Sequence, residues 1–288
     1  MSYLINLASI FAIYAILAIS MNSITGYTGL VTLAHAAFYG IGAYTTALLL
    51  IHGGVNFFVA MLAGIFLAGV VALLIGSVMS KFRGDYYILG SIGFLYIINS
   101  IMKNWDSVTG GPLGVAGITR PALFGVSFAE NLPFLLLCLT LLILVYWLAK
   151  WIVSTPFGRV LKAIREDEEA IAVFGYRTKH FKLLIFMIGC GMAALAGGLF
   201  AGYIRYIDPS TFTIVDSVFM LACIIVGGLA NVRGAILGTA ILVMIIEFSR
   251  LIGLPADVAA QLREVIYGVL LIVMMFWRPQ GLIGEYKL

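Results

Sequence analysis

Apolar runs of about 20 residues follow one another along this chain, with only short polar interruptions between them. A helix needs roughly 20 apolar residues to cross the hydrocarbon core of a bilayer, and it satisfies its own backbone amides there. Unbroken apolar runs such as residues 132–146 lack the alternation of a barrel strand. The pattern therefore predicts membrane-spanning helices at residues 4–21, 30–50, 57–79, 86–102, 132–151, 183–204, 214–229, 235–250 and 265–277.

The predicted fold is an all-α polytopic transmembrane helix bundle with about 8 to 10 membrane segments. The spans at 30–50 and 214–229 are rich in small residues, so we expect that either is broken or re-entrant. Two segments, 26–44 and 227–239, are each rich in small residues and interrupted by polar ones. This pattern fits an internal repeat around a central pathway, and it equally fits two faces that pack against other helices. No linker divides the chain, so residues 1–288 are predicted to form a single transmembrane domain.

The basic residues predict the orientation of this bundle. They cluster in and beside the polar stretch 154–182, and the first of the chain is Lys81. By the positive-inside rule, this stretch and the C-terminal tail from residue 278 are cytoplasmic, whereas the loop 103–131 and the N-terminus are external. The first span lacks the basic flank and cleavage site of a signal peptide, so we expect it to be retained in a multi-pass cell-membrane protein.

Composition narrows the function classes further. The chain is 62% hydrophobic and 10% charged, with a mean hydropathy of +1.10, which excludes an ordinary soluble domain. Its net charge of +4 comes from loop residues and not from a basic stripe interleaved with aromatics, so no nucleic-acid partner is predicted. The three cysteines lie in apolar stretches without metal-ligand spacing, so we expect neither a disulfide nor a metal site.

The polar stretch contains a short amphipathic helical unit at residues 156–175. Its apolar ridge suits a groove on a cytoplasmic partner protein or, equally, the chain's own membrane domain. Gly175 supplies a helix stop. The ridge consists of Val160, Leu161, Ile164, Ile171 and Phe174.

This unit resembles the coupling loop of ABC-importer permeases, in the version found in high-affinity branched-chain amino acid permeases. Six further segments resemble the same family, in order along nearly the whole chain. They are GYTGLVTLAHAAFYGIGAY (26–44), RGDYYILGSIGF (83–94), TGGPLGVAGI (109–118), IDPSTF (207–212), GGLANVRGAILG (227–238) and RPQGLIG (278–284). Of the family's two paired permease types, the chain resembles the one that carries the GYTGL motif.

The resemblance implies one permease subunit of an ATP-driven, binding-protein-dependent importer. It implies a second, different permease, two cytoplasmic ATPases and an external substrate-binding protein as partners. The chain has no GxxxxGK[ST] loop, so it is expected to be no enzyme and to bind no cofactor, while the partner ATPases use ATP and Mg. The residues implied in ATPase coupling are Gly158, Arg159, Lys162, Ala163, Arg165, Asp167, Glu168, Ala170 and Gly175.

Polar residues within the predicted spans are candidates for the translocation pathway, because such groups are costly in lipid. For His35 we favour an interhelical hydrogen bond over substrate contact. Asp216 suits either a helix start or a binding-protein contact, and Glu247 is predicted to pair with Arg250 within one helix. The pathway candidates are Asn22, Thr25, Thr32, His35 and Asp216.

Two alternatives remain open at this point. A secondary transporter of a small polar solute also suits small-residue helices, but it has no need of a helical cytoplasmic dock. Within the importer family, urea or short amides compete with leucine, isoleucine and valine as substrate. An intramembrane enzyme is disfavoured, because the three histidines are scattered and neither HExxH nor GxSxG occurs.

Overall fold

The computed structural model describes residues 2–82, 84–123, 126–128, 130–251, 256–278 and 280–284. The long helices are α1 (Ser2–Met21), α2 (His35–Gly53), α3 (Phe57–Met79), α4 (Asp85–Asn104), α6 (Asn131–Ser154), α9 (Thr178–Ile204), α10 (Ile214–Gly227), α11 (Val232–Leu251) and α12 (Ala256–Trp277). The short helices are α5 (Asp106–Thr109), α7 (Pro156–Glu166) and α8 (Glu168–Val173). Two-residue strands are β1 (Val115–Ala116), β2 (Ala122–Leu123), β3 (Val126–Ser127) and β4 (Tyr206–Ile207).

The all-α polytopic bundle is confirmed. Six segments of the described chain are long and apolar enough to cross a membrane, and each coincides with a predicted span. Helices α4, α11 and α12 also fall at predicted spans but lie outside this stricter set. The six segments are Ser2–Gly26, His35–Gly53, Phe57–Met79, Asn131–Ser154, Thr178–Ile204 and Pro209–Gly227.

One predicted boundary was wrong. The span predicted at 30–50 begins late, because residues 30–34 are not helical and α2 starts at His35. Gly29, the first residue of this non-helical segment, has a φ of +72°, a left-handed conformation that favours glycine and ends a helix. The span predicted at 265–277 lies within α12, whose apolar part begins at Val265, while the helix itself begins earlier, at Ala256.

Helix α9 lies at the centre of the bundle, and its small residues let neighbouring helices approach closely. A methyl group on Gly197 would collide with the backbone carbonyl of Tyr39 on α2, and one on Gly42 would collide with that of Ala194 on α9. Close packing of this kind replaces the hydrophobic effect, which provides no net attraction between helices surrounded by lipid. The three helices α1, α2 and α9 supply many of the buried core residues, and α6, α10 and α11 add others.

The ends of α9 define two opposite faces of the bundle. The β1 face holds β1 paired antiparallel with β4, and Asn99 near the end of α4 donates to the carbonyl of Pro209 over 2.8 Å. The α7 face holds α7, α8 and the start of α9, where Lys182 and Glu168 form an ion pair. The C-terminal turn reaches the α7 face too, because the Leu282 amide donates to the Val226 carbonyl over 3.0 Å.

Candidate functional site

The first break lies between α1 and α2. The last turn of α1 continues as a π-helix, Asn22–Gly26, and the chain is non-helical from residue 29 to 34. Such a break exposes backbone amides that must find partners within the protein if the segment lies in lipid. The hydroxyl of Ser91 on α4 accepts from the Leu33 amide over 2.9 Å, and that of Ser217 on α10 accepts from the Ala36 amide over 3.0 Å.

The second break lies between α10 and α11 and meets the first one directly. Asn22 is buried, and its Oδ1 accepts from the Ala230 amide over 3.1 Å. The Nδ2 of the same side chain donates to the Asn231 carbonyl over 3.0 Å. Ala230 has a φ of +59°, a strained left-handed conformation for a residue with a side chain. One asparagine therefore connects the two interruptions that the sequence analysis singled out.

The other pathway candidates are also engaged within the fold. Thr25 donates to the Leu30 carbonyl over 3.0 Å, and Thr32 accepts from the Ala34 amide over 3.2 Å. His35 forms the predicted interhelical hydrogen bond, with its Nε2 lying 2.7 Å from the Ser20 hydroxyl. The side chains of Thr25, Thr32 and His35 are all buried. Their described contacts stabilise the first break, and a role in the pathway stays a prediction.

The two acidic residues within the later spans each have a partner in the fold. Asp216 starts α10 through a capping box, in which its carboxylate accepts from the amide and the hydroxyl of Thr213. Glu247 accepts from the hydroxyl of Tyr3, which links the beginning of the chain to α11. The predicted pairing of Glu247 with Arg250 lies outside the described residues, because the side chain of Arg250 is not among them.

The predicted coupling unit consists of two helices instead of one. Asp167 separates α7 from α8, and its carboxylate accepts from the amides of Glu169 and Ala170 over 2.9 Å each. This N-cap satisfies the free amides at the start of α8 and fixes the bend. After α8 the chain turns at Gly175, whose φ of +87° favours glycine.

The apolar ridge of this unit is buried in part and exposed in part. Leu161 and Ile164 on α7 are buried against the chain's own membrane domain. In contrast, the side chains of Val173 and Phe174 at the end of α8 are 87% and 78% exposed. The end of α8, which we call the α8 tip (residues 173 and 174), therefore presents two large apolar side chains outward, of which Phe174 belongs to the ridge and Val173 is its neighbour.

Several predicted coupling residues connect α7 and α8 to the bundle. Arg165 donates to the carbonyl of Gly26 at the first break, and the Lys162 ammonium lies 5.9 Å from the ring centroid of Tyr27. Glu168 accepts from the Lys182 ammonium over 2.7 Å. Of the remaining predicted residues, Gly158 is buried, Ala163 and Ala170 are half-buried, and Arg159 and Gly175 are exposed.

One exposed helix face differs from the others in its chemistry. Most of the exposed residues of α3 are large and apolar, such as Leu62, Phe66 and Leu74, as lipid contact requires. Helix α4 also exposes the apolar Ile97 and Ile101, but beside them lies a stripe at helical spacing that includes a glycine, two tyrosines, a serine and an asparagine. We call this the α4 stripe: Tyr86, Leu89, Gly93, Tyr96, Ser100 and Asn104. Polar groups at membrane depth are costly in lipid, so the stripe is suited to protein or water.

The bundle has several membrane spans and two breaks between helices, and α7 and α8 project from one face. These features are typical of a polytopic membrane protein of the transporter class. Among the described residues, no group of three His, Cys, Asp or Glu side chains lies together as a metal would require. The family model described as "Branched-chain amino acid transport system / permease component" matches residues 3–275. The chain belongs to this family, which confirms the resemblance seen in the motifs.

Individual relatives share its sequence over most of this chain. The "High-affinity branched-chain amino acid transport system permease protein LivM" of Escherichia coli K12 is 32% identical over 277 residues, which is 88% of this chain and 64% of the relative. The "Probable branched-chain amino acid transport permease protein LivM" of Methanocaldococcus jannaschii is 26% identical over 240 residues, 78% of this chain and 68% of the relative.

The relatives also include a permease protein of a different import system. The "Autoinducer 2 import system permease protein LsrC" of Salmonella paratyphi B is 30% identical over 215 residues, 72% of this chain and 60% of the relative. The chain thus spans less than two thirds of the E. coli and Salmonella relatives that it matches. No solved structure matches it.

Proposed function

We propose that this chain is a permease subunit of an ATP-driven, binding-protein-dependent importer of branched-chain amino acids. The observation that carries the proposal is its membership, over residues 3–275, of a permease family described for branched-chain amino acid transport. The chain sits in a bacterial or archaeal plasma membrane with the α7 face and the C-terminus in the cytoplasm, in agreement with the basic residues of residues 150–182.

The partner at the α7 face is a pair of cytoplasmic ATPases, which hold the ATP and Mg. The α8 tip supplies the contact, since two exposed apolar residues beside charged ones suit a groove on a protein surface. When the ATPase displaces α8, the movement is transmitted to α7 across the bend at Asp167. Helix α7 then moves the first break through the hydrogen bond between Arg165 and the Gly26 carbonyl. Asn22 passes the movement to the second break.

These connections support an alternating-access mechanism. The two breaks lack continuous helical hydrogen bonding, so neighbouring helices reorient there with a small loss of packing. Closure of the ATPases favours one arrangement of the helices and ATP hydrolysis releases it. The five pathway candidates, of which all but Asp216 are buried, hold the helices beside the pathway, and mutation of any one changes the transport rate more than substrate preference.

The partner within the membrane is a second, different permease. The α4 stripe supports this pairing, because its hydroxyl and amide groups need a neighbour other than lipid. We place the translocation pathway between this stripe and the partner permease. An external substrate-binding protein docks at the β1 face, where the β1–β4 pair fixes the loop that carries the exposed Leu113.

Uptake into sealed vesicles tests the proposal. The chain is reconstituted with a candidate partner permease, its ATPases and binding protein, and radiolabelled leucine uptake is measured with ATP at the ATPase side. We expect uptake that requires ATP, persists when ionophores collapse ion gradients, and is competed by isoleucine and valine but not by urea or acetamide. Uptake driven by an ion gradient without ATP would establish a secondary transporter instead.

A further inference from the structure

A polar pocket of about 300 Å³ lies on the α7 face, between the end of α6 and the second break. Lys150 and Tyr146 line it from α6, Arg233 and Asn231 from the start of α11, and Tyr27 from the first break. No carboxylate is among its lining residues. The transport mechanism proposed above makes no use of this pocket.

Two cations from different helices converge on the pocket with their charges uncompensated. Within the described part of the chain, neither Lys150 nor Arg233 forms an ion pair. The Arg233 Nε donates to the Tyr146 hydroxyl over 3.4 Å, which orients the guanidinium along the pocket wall. Asn231 caps the start of α11, whose N-terminal end adds a further positive partial charge.

Neighbouring side chains place this pocket at the depth of lipid headgroups. Trp147 and Trp151 on α6 are 64% and 65% exposed, and tryptophan is enriched at membrane–water interfaces. The Lys150 ammonium lies 5.7 Å from the ring centroid of Trp147. The membrane-spanning segment of α6 ends at Ser154, one turn beyond Lys150.

We propose that this pocket binds the phosphate of an anionic phospholipid headgroup in the leaflet at the α7 face. The guanidinium of Arg233 presents a planar fork of donors that matches two phosphate oxygens, and Lys150 adds a compact charge. Basic pockets between membrane helices are suited to such headgroups. The acyl chains then lie along the apolar exposed face of α6 that includes Leu144 and Leu148.

Fluorescence quenching by brominated lipid tests the site, because Trp147 and Trp151 flank it. In a background with Trp105→Phe and Trp277→Phe, quenching by dibrominated phosphatidylglycerol is compared with quenching by dibrominated phosphatidylcholine in mixed micelles. Each interfacial cation contributes about a fivefold preference for anionic lipid. We expect Lys150→Gln with Arg233→Gln to lower the preference for phosphatidylglycerol about 25-fold, and Arg233→Lys to retain most of it.

The matched control removes the same charges elsewhere on the α7 face, with Arg177→Gln and Lys179→Gln, both of which are exposed. It should retain the wild-type preference. An equal loss in this control, or an unchanged preference in the pocket variant, would overturn the site. Displacement of the lipid by excess inorganic phosphate would identify a free-phosphate site instead. If the pocket variant keeps its lipid preference but loses its ATPases, the pocket is a protein dock and the lipid proposal is wrong.

Discussion

Replacement of Asn22 by alanine is expected to destabilise the bundle by separating its two breaks. The change leaves the Ala230 amide and the Asn231 carbonyl without their partner inside the protein. Each unpaired buried group costs about 1–3 kcal/mol, so the pair costs about 2–6 kcal/mol. In the variant, the backbone at Ala230 is free to leave its left-handed conformation, and this relief of strain offsets about 1 kcal/mol of the destabilisation. We therefore expect Asn22→Ala to lower the free energy of unfolding by about 1–5 kcal/mol.

Reversible unfolding in mixed micelles of a mild detergent and dodecyl sulfate, followed by circular dichroism, measures this free energy. Asn104→Ala is the matched control, because the Asn104 side chain is exposed and bonds only the Ser100 carbonyl of its own helix. It should stay within about 0.5 kcal/mol of wild type. If Asn22→Ala and Asn104→Ala are equally stable, Asn22 does not hold the breaks together.

Two further predictions concern packing and the coupling helices. Gly42→Ala should destabilise the bundle by about 1–3 kcal/mol or more in the same unfolding assay, because the new methyl collides with the backbone of α9. Gly69→Ala meets open space and should be tolerated, so equal losses would refute the close approach. Lys182→Gln breaks the ion pair that ties Glu168 to α9 and should raise amide hydrogen exchange across α8 at least severalfold. The exposed Lys179→Gln should leave that exchange unchanged, and a rise in both variants would contradict the reasoning.

Much of the fold follows from the sequence because lipid imposes a length rule on every spanning helix. The predicted span 57–79 coincides with α3, and 132–151 lies within α6. The position of the first break was less predictable. The stretch 30–50 is mostly apolar and long enough to span, and its late helix start depends on hydroxyl groups supplied by Ser91 and Ser217 from distant parts of the chain.

Those two serines were missed among the candidate residues. A single serine in an apolar helix is more often bonded to its own preceding turn, as the Ser91 hydroxyl also is to the Ile88 carbonyl. Only the fold shows that it accepts from a neighbouring break as well. Asn22, in contrast, was singled out from the sequence, because an amide at membrane depth demands partners wherever it lies.

The coupling segment shows the other limit of pattern-based prediction. Helical spacing identified its apolar ridge, but spacing does not reveal which surface covers each residue. Leu161 and Ile164 pack on the chain's own bundle, whereas Val173 and Phe174 remain exposed beyond the bend at Asp167. The bend arises because the Asp167 carboxylate accepts a hydrogen bond from the Glu169 amide and so caps α8. Hydrophobic periodicity gives no information on such a local hydrogen bond.

Site-specific photo-crosslinking from the α8 tip tests the central claim that an ATPase engages this chain there. A photoreactive phenylalanine analogue replaces Phe174 in the assembled complex, and the control carries the same analogue in place of Leu113, which is 83% exposed at the β1 face. The account predicts a crosslink from position 174 to the ATPase and none from position 113. A crosslink to the ATPase from position 113 alone would contradict it.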